Sequence, residues 1–111
     1  MGFTEKQLSQ LRENSTNAAR IYSPPISGIG IIKSITLANT SGAAAIFSLF
    51  LDDDGTTYDE TTALAWNVAI EADEMIQLDG YYPMNDSDGN FAYKSSVANA
   101  ITITLFGAEV T

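Results

Sequence analysis

Apolar and polar residues alternate with a period of two along most of the chain after its first 17 residues. The segment IIKSITLAN places Ile31, Lys33, Ile35 and Leu37 on one face and Ile32, Ser34, Thr36 and Ala38 on the other. Successive side chains of a strand point to opposite faces, so this pattern is typical of a half-buried β-strand. The next segment, AAIFSLFLD, is apolar on both faces, which predicts a strand that is covered on both sides.

Further strand-like runs follow, and each is bounded by Gly, Asn, Asp, Pro or Ser: ALAWNVAI, EMIQLDG, GYYPM, NFAYKSS and AITITLFG. Turn residues recur about every 8 to 12 positions, the spacing of short strands in a sandwich. The chain is therefore predicted to be all-β, a β-sandwich or jelly-roll-like domain of about seven or eight antiparallel strands.

The first 17 residues have a different pattern. Thr4 is followed three positions later by Gln7, as in a helix capping box, and Leu8 and Leu11 share one helical face. Asn, Ser and Thr after Glu13 are poor helix formers, so a helix should end there. We therefore expect a short N-terminal helical arm in residues 1–17 and a β-sandwich domain in residues 18–111.

The net charge of −9 is concentrated in one part of the chain. Eleven of the fourteen acidic residues lie between positions 52 and 88, a segment without Lys or Arg, while residues 1–33 carry four basic residues against two glutamates. Five basic residues in all cannot supply a phosphate-binding face, so we expect no nucleic-acid partner. The apolar run GAAAIFSLFL is about half a membrane span and the N-terminus is polar, so we also expect no membrane partner.

Candidate chemistry is limited, because the chain has no histidine and no cysteine. The acidic stretch LFLDDDGTTYDE is the main candidate, but a calcium loop built on Gly55, or on Gly89, would begin with an apolar residue and end with a hydroxyl residue where acids are required. Asp-Gly between two apolar runs predicts a turn instead. Adventitious calcium binding by residues 52–54 is the alternative. We expect no metal site, no cofactor and no catalytic residue, and therefore no enzyme.

Aromatic residues raise the possibility of a sugar-stacking surface that includes Tyr81 and Tyr82. Trp66, however, alternates with Val68 and Ile70 as the residues of a core strand do.

Two long segments resemble a known group: IIKSITLANTSGAAAIFSLFLDDDGTTY and EADEMIQLDGYYPMNDSDGNFAYKSSVANAITITLFGAE. Their order of motifs is an Ile-rich strand ending in Ala-Asn-Thr, an acidic Gly turn, Leu-Asp-Gly, and Ser-x-x-Ala-Asn-Ala before a strand that closes on Gly-x-Glu. This order resembles that of small β-sandwich virion proteins of tailed bacteriophages. The resemblance covers about residues 19–109.

The resemblance implies a non-enzymatic structural role, first of all that of a capsid decoration (cement) protein. Such a protein would be assembled in the host cytoplasm, lie on the outer capsid surface as a homotrimer and stabilise the phage head by bridging major capsid protein subunits. The alternatives are a phage tail or head-fibre component and a carbohydrate-binding module. Strands that are apolar on both faces, and a basic arm, predict contacts with other subunits. The candidate interface residues are Leu8, Leu11, Arg12, Ile46, Phe50 and Phe106.

Overall fold

The computed structural model describes residues 2–52, 57–85 and 90–111, and within these ranges it contains eight β-strands and no helix. The strands are β1 (Phe3–Arg12), β2 (Ala19–Tyr22), β3 (Ile29–Asn39), β4 (Ala45–Asp52), β5 (Ala63–Ile70), β6 (Met75–Asn85), β7 (Asn90–Ser95) and β8 (Ile101–Val110). The Asp-Gly turns predicted around residues 53–55 and 86–89, and most of the alternative calcium site, lie outside the described residues.

Two four-stranded antiparallel sheets face each other, in the orders β1-β8-β3-β6 and β2-β7-β4-β5. Each of the pairs β1 and β2, β3 and β4, β5 and β6, and β7 and β8 is divided between the two sheets. This is the strand order of an eight-stranded jelly roll, in which the connections pass between the sheets. The predicted all-β sandwich of antiparallel strands is confirmed.

The predicted helix at the N-terminus is wrong, because residues 3–12 form β1. This edge strand pairs antiparallel with β8 from Phe3 opposite Val110 to Arg12 opposite Thr102. An isolated helix of this length is marginal, whereas β8 offers a complete row of backbone partners. A register shift between Gln7 and Ser9 marks a bulge in β1. The pairing makes β1 an edge strand of the β1-β8-β3-β6 sheet.

The core lies between the sheets and is made of side chains from the inward face of each strand. Its largest fully buried members are Tyr93, Phe47, Phe91, Ile32, Ile35, Leu37, Leu49, Ile70, Ile101, Ile103 and Leu105. The buried Asn39 closes one end, because its Nδ2 donates to the carbonyl oxygens of Ala43 at 2.8 Å and Ile70 at 3.2 Å. A buried amide with these partners ties the β3–β4 turn to the end of β5.

A carboxylate joins three strands at the opposite end of the sandwich. Tyr22 Oη donates to Glu109 Oε2 at 2.7 Å, and Lys6 Nζ lies 2.9 Å from Glu109 Oε1. The hydrogen bond from Lys6, followed by that from Tyr22, holds the pKa of Glu109 below its ordinary value. Burial, with the neighbouring carboxylate, raises the pKa of Tyr22. The three side chains thus connect β1, β2 and β8.

Replacing this carboxylate, Glu109→Gln, should weaken the acid sensitivity of folding. A lowered folded-state pKa stabilises the fold above the unfolded value, and this contribution is lost as the pH falls through the folded value. The urea midpoint of the unmodified chain should therefore fall more between about pH 6 and about pH 3 than that of the variant. Glu5→Gln, which removes an exposed partner of Lys33, is the control and should leave the pH dependence in place. Equal pH dependence in the unmodified chain and Glu109→Gln would contradict the assignment.

Candidate interaction surfaces

Three of the six candidate interface residues are wholly or partly covered by their own chain. Leu8 and Leu11 pack against the core between the sheets, since the bulge in β1 lets both point inward. Phe50 is completely buried. Phe50 therefore has no free surface with which to lie between subunits, whereas Leu8 and Leu11 are half-buried and keep part of their surface exposed.

Phe50 lies in a small apolar cluster on the outer face of the β2-β7-β4-β5 sheet. Its ring centroid is 6.1 Å from that of Tyr58 and 6.2 Å from that of Trp66, with the indole edge-on. Tyr58 Oη donates to Asn90 Oδ1 at 2.6 Å, which fixes this part of the β4–β5 connection over the sheet. At Phe50 the chain therefore covers both faces of β4 itself, and the apolar pattern at this position does not require a second subunit.

Trp66 is outside the core, although its alternation with Val68 and Ile70 predicted an inward position. Of the three, Ile70 is buried, while Trp66 and Val68 are exposed. β5 shifts register twice against β4, and Asn67 has a φ of 52°, in the left-handed region. The resulting bulge, fixed by donation from Asn67 N to Ser48 Oγ at 3.0 Å, breaks the period of two and lets Trp66 pack on Phe50 from outside.

The substitution Phe50→Leu should destabilise the chain by about 1–2 kcal/mol, since it shrinks a buried side chain and removes an aromatic pair. The emission of Trp66, the single tryptophan, should shift to longer wavelength as its environment becomes wetter. Ile46→Val, on the same face of β4 but exposed, is the matched control and should change the urea midpoint little. A Phe50→Leu variant with an unchanged midpoint and emission would show that the cluster is not packed in solution.

The other candidates, Arg12, Ile46 and Phe106, retain exposed surface, and they lie in different places. Ile46 is on the outer face of β4, while Arg12 and Phe106 are on the outer face of the β1-β8-β3-β6 sheet, at β1 and β8 respectively. Sequence reasoning grouped them by composition, but the fold does not bring the three together.

An apolar surface that sequence reasoning missed lies where the two chain ends meet on the β1-β8-β3-β6 sheet. Phe3, Val110 and Ile29 stand in one row across β1, β8 and β3, and Phe106 lies on the same face of β8. We call these four residues the terminal patch. Three of them, Phe3, Ile29 and Phe106, are exposed and Val110 is half-buried. Only the register of three strands distant in sequence creates this row.

Charged side chains border the terminal patch. Lys33 Nζ lies 5.4 Å from the centroid of the Phe3 ring and 3.1 Å from Glu5 Oε2. A groove of about 380 Å³ runs beside Phe106, with Glu5, Lys6 and Lys33 in its lining. Because Lys6 and Lys33 are each paired with a carboxylate, the groove has no unpaired lysine to offer an anionic ligand.

The described residues offer little for other kinds of site. Within them, no group of three or more acidic side chains is placed to hold a metal ion. No helix in the same ranges is long and apolar enough to span a membrane. Trp66 and Tyr81 lie on different sheets, Tyr82 packs partly against the core and Tyr93 is buried, so these aromatic residues do not form one sugar-stacking surface.

No protein-family model matches the sequence, and no curated protein matches it. Solved structures share the fold. The chain is similar to a protein of Bacillus endospore appendages, described as a novel family of disulfide-linked pili, with 14% identity, a TM-score of 0.56, and coverage of 98% of this chain and 88% of that one.

The chain is also similar to two virus proteins. One is from the T13 particle of infectious bursal disease virus, with 11% identity, a TM-score of 0.54, and coverage of 97% of this chain and 30% of that one. The other is from the Gx strain of that virus, with 10% identity, a TM-score of 0.51, and coverage of 96% and 29%. The chain thus spans less than a third of the length of these virus proteins, and the likeness shows a shared fold.

Proposed function

We propose that this chain is a non-enzymatic structural protein of a virus particle, and specifically a capsid decoration (cement) protein of a tailed bacteriophage. In this proposal it binds the outer capsid surface after assembly in the host cytoplasm and bridges major capsid protein subunits, as a homotrimer. The observation that carries the proposal is the eight-stranded jelly-roll order, a fold that the chain shares with proteins of a virus particle. The motif order that resembles phage virion proteins supports it independently.

The terminal patch is the surface that we assign to the capsid. Exposed apolar residues grouped together and bordered by paired charges are typical of a protein contact. One neighbouring row of that sheet face is polar, with Gln10, Thr104, Thr36 and Gln77 as successive partners across the sheet. A protein partner suits this face better than a nucleic acid, because the lysines beside the patch are already neutralised by glutamates.

Other uses of the same fold have less support from this chain. The Bacillus pili are described as disulfide-linked. This chain contains no cysteine, so it cannot form such links. A phage tail or head-fibre component remains the alternative, since it would use the same sandwich at another place in the particle. A carbohydrate-binding module is a weaker alternative, because Trp66 and Tyr81 lie on separate sheets.

The proposal is tested by adding the purified chain to phage particles made without it and measuring occupancy by sedimentation. We expect saturable binding, and a higher temperature of DNA release from the decorated heads. Phe106→Glu should weaken binding at least about tenfold, because it places a charge in a desolvated contact. Ile46→Glu is the matched control: the two side chains are 40% and 44% exposed but lie on opposite sheets.

Other binding results would contradict the proposal or favour one of its alternatives. No binding of the unmodified chain to heads would contradict a decoration role, and binding confined to tails or fibres would favour the alternative. Equal binding by Phe106→Glu and the unmodified chain would remove the terminal patch from the contact. Glycan binding that is lost on Tyr81→Ala or Trp66→Ala would favour the carbohydrate-binding module.

A further inference from the structure

One edge of the sandwich lacks the charged residues and prolines that protect sheet edges. The four edge strands are β1, β6, β2 and β5. β1, β2 and β6 contain charged residues, and β6 also contains Pro83, whereas β5, with the sequence ALAWNVAI, has neither a charge nor a proline. Charges and prolines on an edge keep it from pairing with another chain. Two bulges bend β5, yet its Leu64, Trp66 and Val68 remain exposed.

The two sides of the sandwich also differ in charge. The side formed by β5 and β6 has acidic turns at both ends of β5, with Asp59 and Glu60 before it and Glu71, Asp73 and Glu74 after it. No Lys or Arg occurs between positions 34 and 93. This side therefore presents apolar side chains between two groups of carboxylates.

The opposite side, formed by β1 and β2, carries the complementary charges. Arg12 lies at the end of β1 and Arg20 lies in β2. Among the residues that the structure describes, neither arginine has an ion-pair partner, whereas Lys6 and Lys33 do. Two guanidinium groups are thus free to meet carboxylates of another molecule.

Strand register places the first arginine level with one acidic turn. Arg12, Thr102, Ala38 and Met75 are successive partners across β1, β8, β3 and β6, and Met75 directly follows Glu74. A second copy set beside β6 at the same height brings its Arg12 to the turn formed by residues 71–74.

The second arginine is level with the other acidic turn. Arg20, Ala92, Phe50 and Ala63 are successive partners across β2, β7, β4 and β5, and Ala63 comes three residues after Glu60. The same placement of the second copy therefore brings its Arg20 to the turn that precedes β5. One lateral placement satisfies both pairs.

Strand directions are compatible with this placement. Because each sheet has four antiparallel strands, β6 runs opposite to β1 and β5 runs opposite to β2. The β1 and β2 strands of a neighbouring copy would thus continue the antiparallel order of both sheets. A symmetric contact of β5 with β5 is disfavoured, since it would bring the acidic turns of two copies together.

We propose that copies of this chain associate side by side and head to tail, with the β1–β2 side of one copy against the β5–β6 side of the next. The apolar β5 edge lies at the centre of the contact, and Arg12 and Arg20 face the two acidic turns. Such a heterologous contact closes into a ring or extends as a chain of copies. The inference does not rest on the proposed function, and purified protein is enough to test it.

The test is a charge exchange measured by analytical ultracentrifugation. One variant carries Arg12→Glu and Arg20→Glu, and the other carries Glu60→Lys and Glu71→Lys. Glu74 is left unchanged because its Oε1 accepts a hydrogen bond from Glu71 N at 3.0 Å and closes the turn. The first variant alone juxtaposes like charges, and the second alone sets an introduced lysine against each arginine, whereas an equimolar mixture can pair each introduced glutamate with an introduced lysine.

We expect the unmodified chain to form assemblies at about 100 µM, each variant alone to associate at least about tenfold more weakly, and the mixture to recover assembly. Ala69→Lys, at an exposed position of β5, should also dissociate the assemblies, since it adds a protecting charge to the edge. Lys94→Glu changes the net charge as much as Arg20→Glu does but lies on the interior strand β7, so it should leave assembly unchanged.

Three results would overturn the inference. They are an unmodified chain that is monomeric at this concentration, a mixture that assembles no better than its components, and a Lys94→Glu variant as defective as Arg20→Glu. Each variant is checked by its thermal unfolding transition. A charge variant that does not fold is replaced by Ala69→Lys, for which loss of assembly supports the contact and retention contradicts it.

Discussion

Deletion of residues 1–12 should abolish the cooperative unfolding transition of the chain. The deletion removes β1, turns β8 into an unprotected edge and strips Leu8 and Leu11 from the core. It also removes the hydrogen bond from Ser9 Oγ to the carbonyl oxygen of Ile21 at 2.6 Å, which links β1 to β2. Loss of a fully buried leucine costs about 2–5 kcal/mol, so losing two partly buried leucines together with all the pairing of β1 should approach the whole stability of a domain of this size.

Calorimetry of the truncated chain provides the measurement, with the variant Gln7→Ala as a control. Gln7 lies beside the bulge on the outer face of β1, so truncating it should preserve the transition. A truncated chain that melts at the temperature of the intact one would contradict the inclusion of β1 in the sandwich. It would also restore the interpretation of residues 1–17 as an arm.

Gly107→Val should prevent folding, because no side chain fits at this position in β8. A Cβ atom built on Gly107 collides with the carbonyl oxygen of Ile31 and lies 3.0 Å from Leu8 Cδ1. The carbonyl oxygen of Ile31 belongs to the backbone of the adjacent strand β3. A side chain at position 107 would therefore require β3 and β8 to separate. Overpacking of a core costs about 1–3 kcal/mol even where side chains can move, and here the backbone itself must move.

Gly2→Val is the matched control, since a Cβ atom on Gly2 meets no atom within 4 Å. The yield of soluble protein and the urea midpoint should both collapse for Gly107→Val and stay unchanged for Gly2→Val. A folded Gly107→Val variant with a normal midpoint would show that β3 and β8 are farther apart than the structure places them.

Most strands were predictable from sequence because apolar and polar side chains alternate over much of their length. The failures occur where a bulge interrupts the alternation. In β1 the bulge lets Leu8 and Leu11, three positions apart, both face the core, and this spacing also fits one face of a helix. In β5 the bulge at Asn67 turns Trp66 away from the core, and an asparagine within the apolar run was the single local sign of it.

The interaction surfaces were less predictable, because they depend on contacts between residues distant in sequence. The exposure of Ile46 and Phe106 follows from strands that are apolar on both faces. Phe50, by contrast, is buried by the rings of Tyr58 and Trp66, and no local sequence pattern predicts this packing. The terminal patch follows from strand register, and so does the alignment of Arg12 and Arg20 with the two acidic turns. The sequence of any one strand does not specify this register.

The position of this chain in a cryo-electron microscopy map of the phage particle tests the central claim most directly. The account predicts an eight-stranded sandwich on the outside of the capsid shell, with Phe3, Ile29 and Phe106 against the major capsid protein. A map that places the sandwich on the tail or in fibres, or purified particles in which mass spectrometry detects none of the chain, would contradict it.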